Sequence, residues 1–179
     1  MSRQEKPDHV DRIIAQWKEE CPQLDVSSMG VFGRIARLAK LCEKARSDAL
    51  ADFGFKDGEF DVMATLRRAG SPYTLSPTAL YRSLMLTSGA MTNRLNRLEQ
   101  KGWIERLPNL ADRRGMAVRL TDGGLTTLED AVIIHLETQN AMLAGLRNHD
   151  RVHLAALLKT ALAALPNDGM STEISDDFD

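Results

Sequence analysis

Apolar residues recur at helical spacing along most of the chain and alternate with polar ones only between residues 103 and 121. In the first segment, DHVDRIIAQWKEECP, they fall at Val10, Ile13, Ile14 and Trp17, the i, i+3, i+4, i+7 spacing of one helix face. Pro22 ends the pattern, because proline has no amide hydrogen for the helical ladder. The segment predicts a short amphipathic helix.

A second, longer helix is predicted over residues 29–53, after a cap at Ser27 and Ser28. Its apolar positions cover more than one stripe: Val31, Phe32, Ile35, Leu38, Ala39, Cys42, Ala45 and Ala49. A helix of about seven turns with so wide an apolar face has more surface to bury than a small domain supplies. The pattern therefore implies a partner chain.

Three shorter helices follow in DGEFDVMATLRRAG, SPTALYRSLM and LTSGAMTNRLNRLEQKG. The first stops at Gly70, the second starts with Ser76 as cap and Pro77 in its first turn, and the third runs from a Thr87 cap to Gly102. The apolar positions that should face a common core are Phe60, Met63, Leu66, Ala79, Leu80, Leu84, Met91, Leu95 and Leu98.

The alternating runs GWIERLP and MAVRLT flank NLADRRG, whose composition is typical of a turn, so they predict a β-hairpin. A long helix capped by Thr121 is predicted over residues 121–146, and LAALLKTALAAL continues as a final helix. Two tandem helices followed by a basic hairpin are the element order of a winged helix-turn-helix. We expect a mainly α fold with a small β-hairpin wing.

The same pattern divides the chain into four parts. Residues 1–53 hold N-terminal helices for dimerisation and a ligand pocket, and residues 54–120 form the winged helix-turn-helix domain. Residues 121–165 are C-terminal dimerisation helices. Residues 166–179 contain five acids, no base and few apolar groups, so we expect a disordered acidic tail.

Charge is distributed unevenly, although the formal net charge of the 179 residues is only −2. Between Arg82 and Arg119 there are eight basic and three acidic residues, a local net charge of +5. A basic segment on one part of a domain is typical of nucleic-acid binding. The chain has no long apolar run and no signal-peptide pattern, so we expect a cytoplasmic protein without a membrane partner.

The third of these short helices has the geometry of a DNA-reading helix. At 100° per residue, Met91, Leu95 and Leu98 share one side, and Gly89, Asn93, Asn96 and Gln100 lie about 140–200° from Met91. Asparagine and glutamine can form paired hydrogen bonds with adenine in the major groove. The helix residues predicted to contact double-stranded DNA are Ser88, Gly89, Thr92, Asn93, Asn96 and Arg97.

The hairpin tip ADRRG is predicted to contact the flanking minor groove. Arg113 or Arg114 suits that narrow, electronegative groove, and Asp112 can hold a guanidinium in a fixed orientation. The alternative is a solvated hairpin loop with no DNA contact.

The stretch TSGAMTNRLNRLEQKGWIERLPNLADRRGMAVRLTDGG resembles the recognition helix, wing and following helix start of the MarR family of bacterial transcriptional regulators. The resemblance extends over residues 29–165. It implies a homodimer with interlocking terminal helices that binds a palindromic operator, commonly as a repressor released by a small ligand. The surplus apolar surface of residues 29–53 would be buried in that dimer.

The extra N-terminal helix and the arginines around the helix-turn-helix resemble the urate-responsive branch of that family. The resemblance implies ligand-binding roles for Trp17, Asp48, Arg82 and Arg94, and a small aromatic anion such as urate as the ligand. In this hypothesis, the ligand competes for an ion pair to Asp48 and shifts the recognition helix. Two alternatives stay open: Arg94 forms an ion pair with Asp48, Asp52 or Asp61, and Trp17 is a packing residue.

Other functions are less well supported by the sequence. A redox sensor of the same fold would use Cys21 or Cys42, but Cys42 lies in an apolar stripe and acids precede Cys21, which disfavours a reactive thiolate. No GxSxG, P-loop or HExxH motif occurs, and His149 and His153 are expected in solvent, so we expect neither an enzyme nor a bound cofactor or metal. A DNA-binding dimer without a ligand is the last alternative.

Overall fold

The computed structural model describes residues 6–56, 58–84, 88–108 and 115–165, and of residues 88–90 only the backbone. This part of the chain is mainly helical with one small antiparallel sheet, which confirms the predicted fold class. The elements in chain order are α1 (His9–Glu20), α2 (Ser27–Leu50), a short 3-10 helix (Ala51–Phe53), α3 (Glu59–Arg68), β1 (Thr74–Leu75), α4 (Pro77–Leu84), α5 (Ser88–Gln100), β2 (Ile104–Pro108), β3 (Met116–Leu120), α6 (Asp122–Met142) and α7 (Asn148–Ala163).

The described residues form two compact units, one ending at Asp48 and the other beginning at Ala49. The four functional segments expected from the sequence stay a prediction. The acidic tail, residues 166–179, lies outside the described residues.

In the first unit, α1 begins with a capping box and is attached to α2 by an arginine. The Asp8 carboxylate accepts a hydrogen bond from the Asp11 amide, and the Asp11 carboxylate accepts one from the Asp8 amide, both at 2.9 Å. Arg34 of α2 donates to Asp8 at 2.9 Å and to Asp11 at 2.7 Å. The Asp11 amide and the Arg34 guanidinium hold the pKa of Asp8 below its usual value.

Helix α2 differs from its predicted bounds at both ends. Ser27 and Ser28 lie inside its first turn, and the Ser27 amide donates to the Asp25 carboxylate at 2.9 Å, so the predicted serine cap was wrong. At the other end, residues after Leu50 tighten into the 3-10 helix, which Gly54 terminates in the left-handed region.

The second unit is organised around a core shared by α3, α4, α5, α6 and the sheet. The strand order is β1-β3-β2, with both pairs antiparallel, and Arg106 of β2 lies opposite Val118 of β3. The predicted inward positions Met63, Leu66 and Leu80 are fully buried. The other large buried apolar residues in this cluster are Leu50, Phe60, Val62, Met91, Leu95, Leu98, Ile104, Val118, Leu120 and Leu128.

Strand β1 was not predicted from the sequence. It has only two residues, and it forms because Thr74 and Leu75 pair with Arg119 and Val118 of β3. A two-residue segment carries no alternation of its own, so this strand depends entirely on a partner distant in sequence.

Helix α6 begins as predicted but ends four residues early. The Thr121 hydroxyl accepts a hydrogen bond from the Gly124 amide at 3.0 Å, which confirms the predicted cap. The helix ends at Met142, where Arg151 of α7 donates to the carbonyls of Leu143 and Leu146 at 2.8 and 3.1 Å. The Arg151 side chain therefore satisfies carbonyl groups at the turn that a longer helix would have paired internally.

Several helices carry apolar side chains that the described chain leaves exposed. On α2 these include Phe32, whose exposed fraction is 63 %, and on α7 Leu162 at 66 %. None of the described residues of α7 is buried. The other large exposed apolar residues of α2, α6 and α7 are Val31, Ile35, Leu38, Leu41, Ile133, Ile134, Leu136, Met142, Val152, Leu157 and Leu158.

Candidate nucleic-acid interface

Helix α5 has one buried apolar side and one exposed polar side. Met91, Leu95 and Leu98 are buried, as the helical arithmetic predicts. The exposed residues on the other side and its flank are Thr92, Asn93, Asn96 and Gln100. Ser88 and Gly89 lie in the first turn of α5, but their side chains are outside the described residues, as is the whole of Thr87.

A buried carboxylate attaches α5 to α3. Glu59 is 0 % exposed, and its two oxygens accept hydrogen bonds from Arg97 Nε at 2.6 Å and Lys101 Nζ at 2.5 Å. The Lys56 amide donates to the same carboxylate at 2.9 Å, and Lys101 Nζ also reaches the carbonyl of Gly54 at 2.8 Å. This arrangement fixes the rotation of α5 about its own axis, because both basic side chains have to reach the Glu59 carboxylate.

The ionisation of Glu59 reflects these contacts. Burial by itself would raise the pKa of this carboxyl group, but the hydrogen bonds from Lys101, the Lys56 amide and Arg97 outweigh it and lower the pKa below 4.5. Glu59 therefore carries a negative charge at neutral pH and balances part of the positive charge of α5.

The predicted DNA contact of Arg97 stays a prediction, and this arginine also has an internal partner. Its Nε atom is committed to Glu59, although a third of the side chain remains exposed. Sequence reasoning missed Glu59 because an acid in the first turn of a helix is usually solvated. The available signal was the i, i+4 spacing of Arg97 and Lys101, which places two cations on one side of α5.

The base of the wing is joined to α5 by Arg106 of β2. Its Nη2 donates to Asn96 Oδ1 at 2.7 Å, and its Nη1 donates to Glu99 Oε2 at 2.9 Å. A second wing arginine, Arg119 of β3, instead pairs with Glu105 of β2 at 2.8 Å. The first pair of contacts positions the wing against α5, and the second holds the two wing strands together.

The predicted wing-tip residues Asp112, Arg113 and Arg114 lie outside the described residues. The strands that carry them are in place, since β2 and β3 pair from Ile104–Leu120 to Pro108–Met116. The predicted minor-groove contact therefore stays a prediction.

Two of the predicted ligand residues belong to the second unit. Arg82 is in the last turn of α4 and is exposed. Arg94 of α5 is half-buried, and its guanidinium packs against Gly58, where a Cβ atom would collide with it. Gly58 also has φ of +73°, so both its backbone conformation and the Arg94 guanidinium favour glycine at this position.

The other two predicted ligand residues belong to the first unit. Trp17 lies on α1 with 42 % of its surface exposed, so it is not a core residue of its own unit. Asp48 is exposed and accepts a hydrogen bond from Lys44 at 2.6 Å, one helical turn earlier on α2.

The remaining candidate groups for chemistry are the two cysteines and the histidines of α7. Cys21 is half-buried and Cys42 is exposed, and the two are not joined by a disulfide. His149 and His153 of α7 are both exposed, as predicted. Among the described residues, no cluster of three or more histidine, cysteine or acidic side chains is arranged to hold a metal ion. The helices in the described ranges also include none with the length and apolar character needed to cross a bilayer.

Comparisons with known proteins agree with this geometry. The MarR family profile matches residues 55–116. The HTH-type transcriptional regulator PecS of Dickeya dadantii (strain 3937) is 38 % identical over 149 residues, which span 83 % of this chain and 90 % of PecS. The multiple antibiotic resistance protein MarR of Escherichia coli (strain K12) is 29 % identical over 144 residues, spanning 76 % of this chain and 98 % of MarR.

A solved structure with the same fold contains DNA. A cysteine-to-serine mutant of MarR from E. coli, complexed with operator DNA, matches with a TM-score of 0.65 and 28 % identity. The match covers 82 % of this chain and 97 % of that one. PecS is named as a transcriptional regulator, MarR is bound to operator DNA in this structure, and neither is named as an enzyme, which confirms the non-enzymatic class expected from the sequence. The chain belongs to the MarR family of winged helix-turn-helix transcriptional regulators.

Proposed function

We propose that this chain is a DNA-binding transcriptional regulator that inserts α5 into the major groove of an operator. The observation that carries the proposal is the exposed polar side of α5, where Thr92, Asn93 and Asn96 project opposite the buried Leu95 and Leu98. Side chains of this kind can hydrogen-bond base edges. The operator complex of MarR supports the same role for this fold.

The protein acts as a homodimer on a palindromic operator, in the cytoplasm. Support comes from the exposed apolar residues of α2, α6 and α7, which a second copy would cover. A two-fold dimer places its two recognition helices about 34 Å apart, one turn of DNA. Asp112, Arg113 and Arg114 at the wing tip contact the flanking minor groove, where an arginine gains most from the narrow, electronegative geometry.

DNA binding represses transcription, and a small aromatic anion such as urate releases it. This part rests on the resemblance to the urate-responsive branch, with Trp17, Asp48, Arg82 and Arg94 as ligand residues. Arg94 supports it physically, because its side chain is on the recognition helix but lies half-buried on the side away from Asn93. An anion bound by its guanidinium would therefore act on α5 without touching DNA.

The DNA-binding proposal is tested by selecting sequences from a pool of duplexes with a randomised 24-base-pair core, a length of about two turns. We expect an inverted repeat to be enriched, and Asn93→Ala to bind it at least tenfold more weakly. Asn140→Ala is the matched control, since Asn140 is an exposed asparagine on α6. Failure to enrich any sequence above the starting pool would contradict the proposal.

The ligand proposal is tested by titrating urate into the complex with the selected DNA. We expect urate to weaken wild-type binding and to have a much smaller effect on Arg94→Gln, while Arg147→Gln, at an exposed arginine that directly precedes α7, responds like the wild type. If urate leaves the affinity of the wild type unchanged, the urate proposal is wrong and DNA binding stands alone.

A further inference from the structure

Arg106 does more in this structure than attach the wing, because it also determines how Asn96 is oriented. The Arg106 guanidinium lies against two residues of α5 that are three positions apart, with Nη2 on Asn96 Oδ1 and Nη1 on Glu99 Oε2. The Arg106 side chain is half-buried, with 29 % of its surface exposed. Asn96 itself is exposed on the polar side of α5.

The chemistry of the two side chains leaves one orientation of the amide. A guanidinium has only donors, so the atom of Asn96 that faces Arg106 has to be the carbonyl oxygen. The amide NH2 group then points away from Arg106. An asparagine that is free to rotate can place its oxygen and nitrogen together on adenine, accepting from N6 and donating to N7. The Asn96 oxygen already accepts a hydrogen bond from Arg106, so Asn96 presents mainly its NH2 donors to DNA.

We propose that Arg106 is a specificity-determining positioning residue that makes Asn96 a hydrogen-bond donor towards DNA. The base edge matched by Asn96 then carries acceptors, the O6 and N7 atoms of guanine or the O4 atom of thymine, and not the adenine amino group. This inference rests on the proposed DNA binding through α5. It assigns the choice of base at one position of each half-site to a residue on β2.

Glu99 completes the arrangement. Its carboxylate holds the second arm of the Arg106 guanidinium, so Arg106 is fixed at two points and cannot rotate away from Asn96 without losing both hydrogen bonds. Arg119 offers a contrast on the neighbouring strand, since both of its hydrogen bonds go to Glu105 within the sheet. Arg119 should therefore support the wing without affecting base choice.

The experiment compares the sequences selected from the same randomised duplex pool by the wild type, Arg106→Met and the matched control Arg119→Met. We expect Arg106→Met to change preference at one position per half-site, from guanine or thymine towards adenine, by roughly tenfold in relative affinity. Arg119→Met should keep the wild-type preference. Thermal unfolding of each variant identifies any that fails to fold.

One further protein, Asn96→Asp, keeps the test decisive if Arg106→Met is unstable. Asn96→Asp retains an acceptor for Arg106 but has no donor for DNA, so it should lose the guanine or thymine preference at that position. In an Asn96→Ala background, Arg106→Met should cause no further change in base preference, because its effect passes through Asn96.

The outcomes separate the two proposals. If the wild type selects an operator and Arg106→Met or Asn96→Asp selects the same bases with the same preference, the role of Arg106 is wrong and DNA binding is kept. If the wild type already prefers adenine at the position that Asn96→Ala alters, the inference is also overturned. If the wild type selects no sequence at all, the proposed function itself fails.

Discussion

Helices α5 and α7 contain similar apolar side chains but bury them very differently. Met91, Leu95 and Leu98 of α5 are inside the core of the second unit, whereas Val152 of α7 is 71 % exposed and Leu162 nearly as much. Burying apolar surface is the main favourable term in folding, so exposure on this scale is a cost unless something covers it. The winged-helix core is therefore complete within one chain, whereas the apolar side chains of α7 are left exposed by the described residues.

The difference assigns separate tasks to the two regions. The core around α5 holds the exposed polar side of this helix in one orientation, through packed side chains and the buried Glu59 carboxylate. If a second copy covers the exposed helices, as proposed above, their apolar residues contribute to association and not to folding of the single chain. Substitutions in the two regions should be distinguished by whether their effects depend on protein concentration.

The largest effect is expected from a cavity inside the α5 core. Leu98→Ala should lower the free energy of unfolding by about 3–4 kcal/mol, because the site is fully enclosed and cannot collapse around the smaller side chain. Urea unfolding measures the loss, which should be the same at low and high protein concentrations. A loss under about 1 kcal/mol would be inconsistent with a packed core at this position.

A slightly smaller effect is expected from removing the charge of Glu59. Glu59→Gln should lower the free energy of unfolding by about 3 kcal/mol, since Arg97 and Lys101 lose an anionic partner but can still reach solvent. Glu129→Gln is the control, because Glu129 is an exposed carboxylate paired with Arg67 and should have little effect.

The pH dependence of the same variant provides an independent check. Because folding lowers the pKa of Glu59, this group stabilises the protein above its unfolded pKa of about 4.5, and the contribution is lost as the pH falls through the lower folded pKa. The stability difference between wild type and Glu59→Gln should therefore shrink below pH 4.5. A difference that stays constant down to acid unfolding would show that the charge of Glu59 is not the cause.

The helices around the core could be predicted because their signals are local. The i, i+4, i+7 spacing of Met91, Leu95 and Leu98 depends only on helix geometry, and the caps at Ser76 and Thr121 depend on one hydrogen bond each. Both features are complete within a few residues. For the same reason the polar side of α5 was identified correctly from the sequence.

The contacts that position the site could not be predicted because they join residues distant in sequence. Glu59 and Arg97 are 38 residues apart, and β1 exists only because β3 pairs with it. Asn96 and Arg106 are only ten residues apart, but their contact depends on how the wing packs against α5. A sequence pattern shows which side of an element is polar, but it does not show which of those polar groups are hydrogen-bonded to residues elsewhere in the fold.

A moderate effect, confined to association, is expected on α7. Leu162→Glu should raise the dissociation constant of the proposed homodimer roughly thirtyfold, about 2 kcal/mol, by placing a charge among the exposed apolar residues that a second copy would cover. Analytical ultracentrifugation over a dilution series measures the change, with Thr126→Glu as an exposed control on α6. If Leu162→Glu dimerises like the wild type, a second copy does not cover this part of α7.

The smallest effect is expected where α1 packs on α2. Alanine is favoured over glycine inside a helix by about 1 kcal/mol, so Gly33→Ala should stabilise α2. The new methyl group would lie 3.1 Å from Val10 Cγ1, closer than side chains normally pack, and this crowding opposes the gain. We expect a net change of under about 1 kcal/mol in the free energy of urea unfolding.

Val10→Ala with Gly33→Ala should then be more stable than Val10→Ala alone, because the crowding is removed and only the helical preference of alanine remains. A large loss of stability in Gly33→Ala alone would mean that Val10 is held as rigidly as the side chains around α5. The first unit would then be packed as tightly as the core of the second unit.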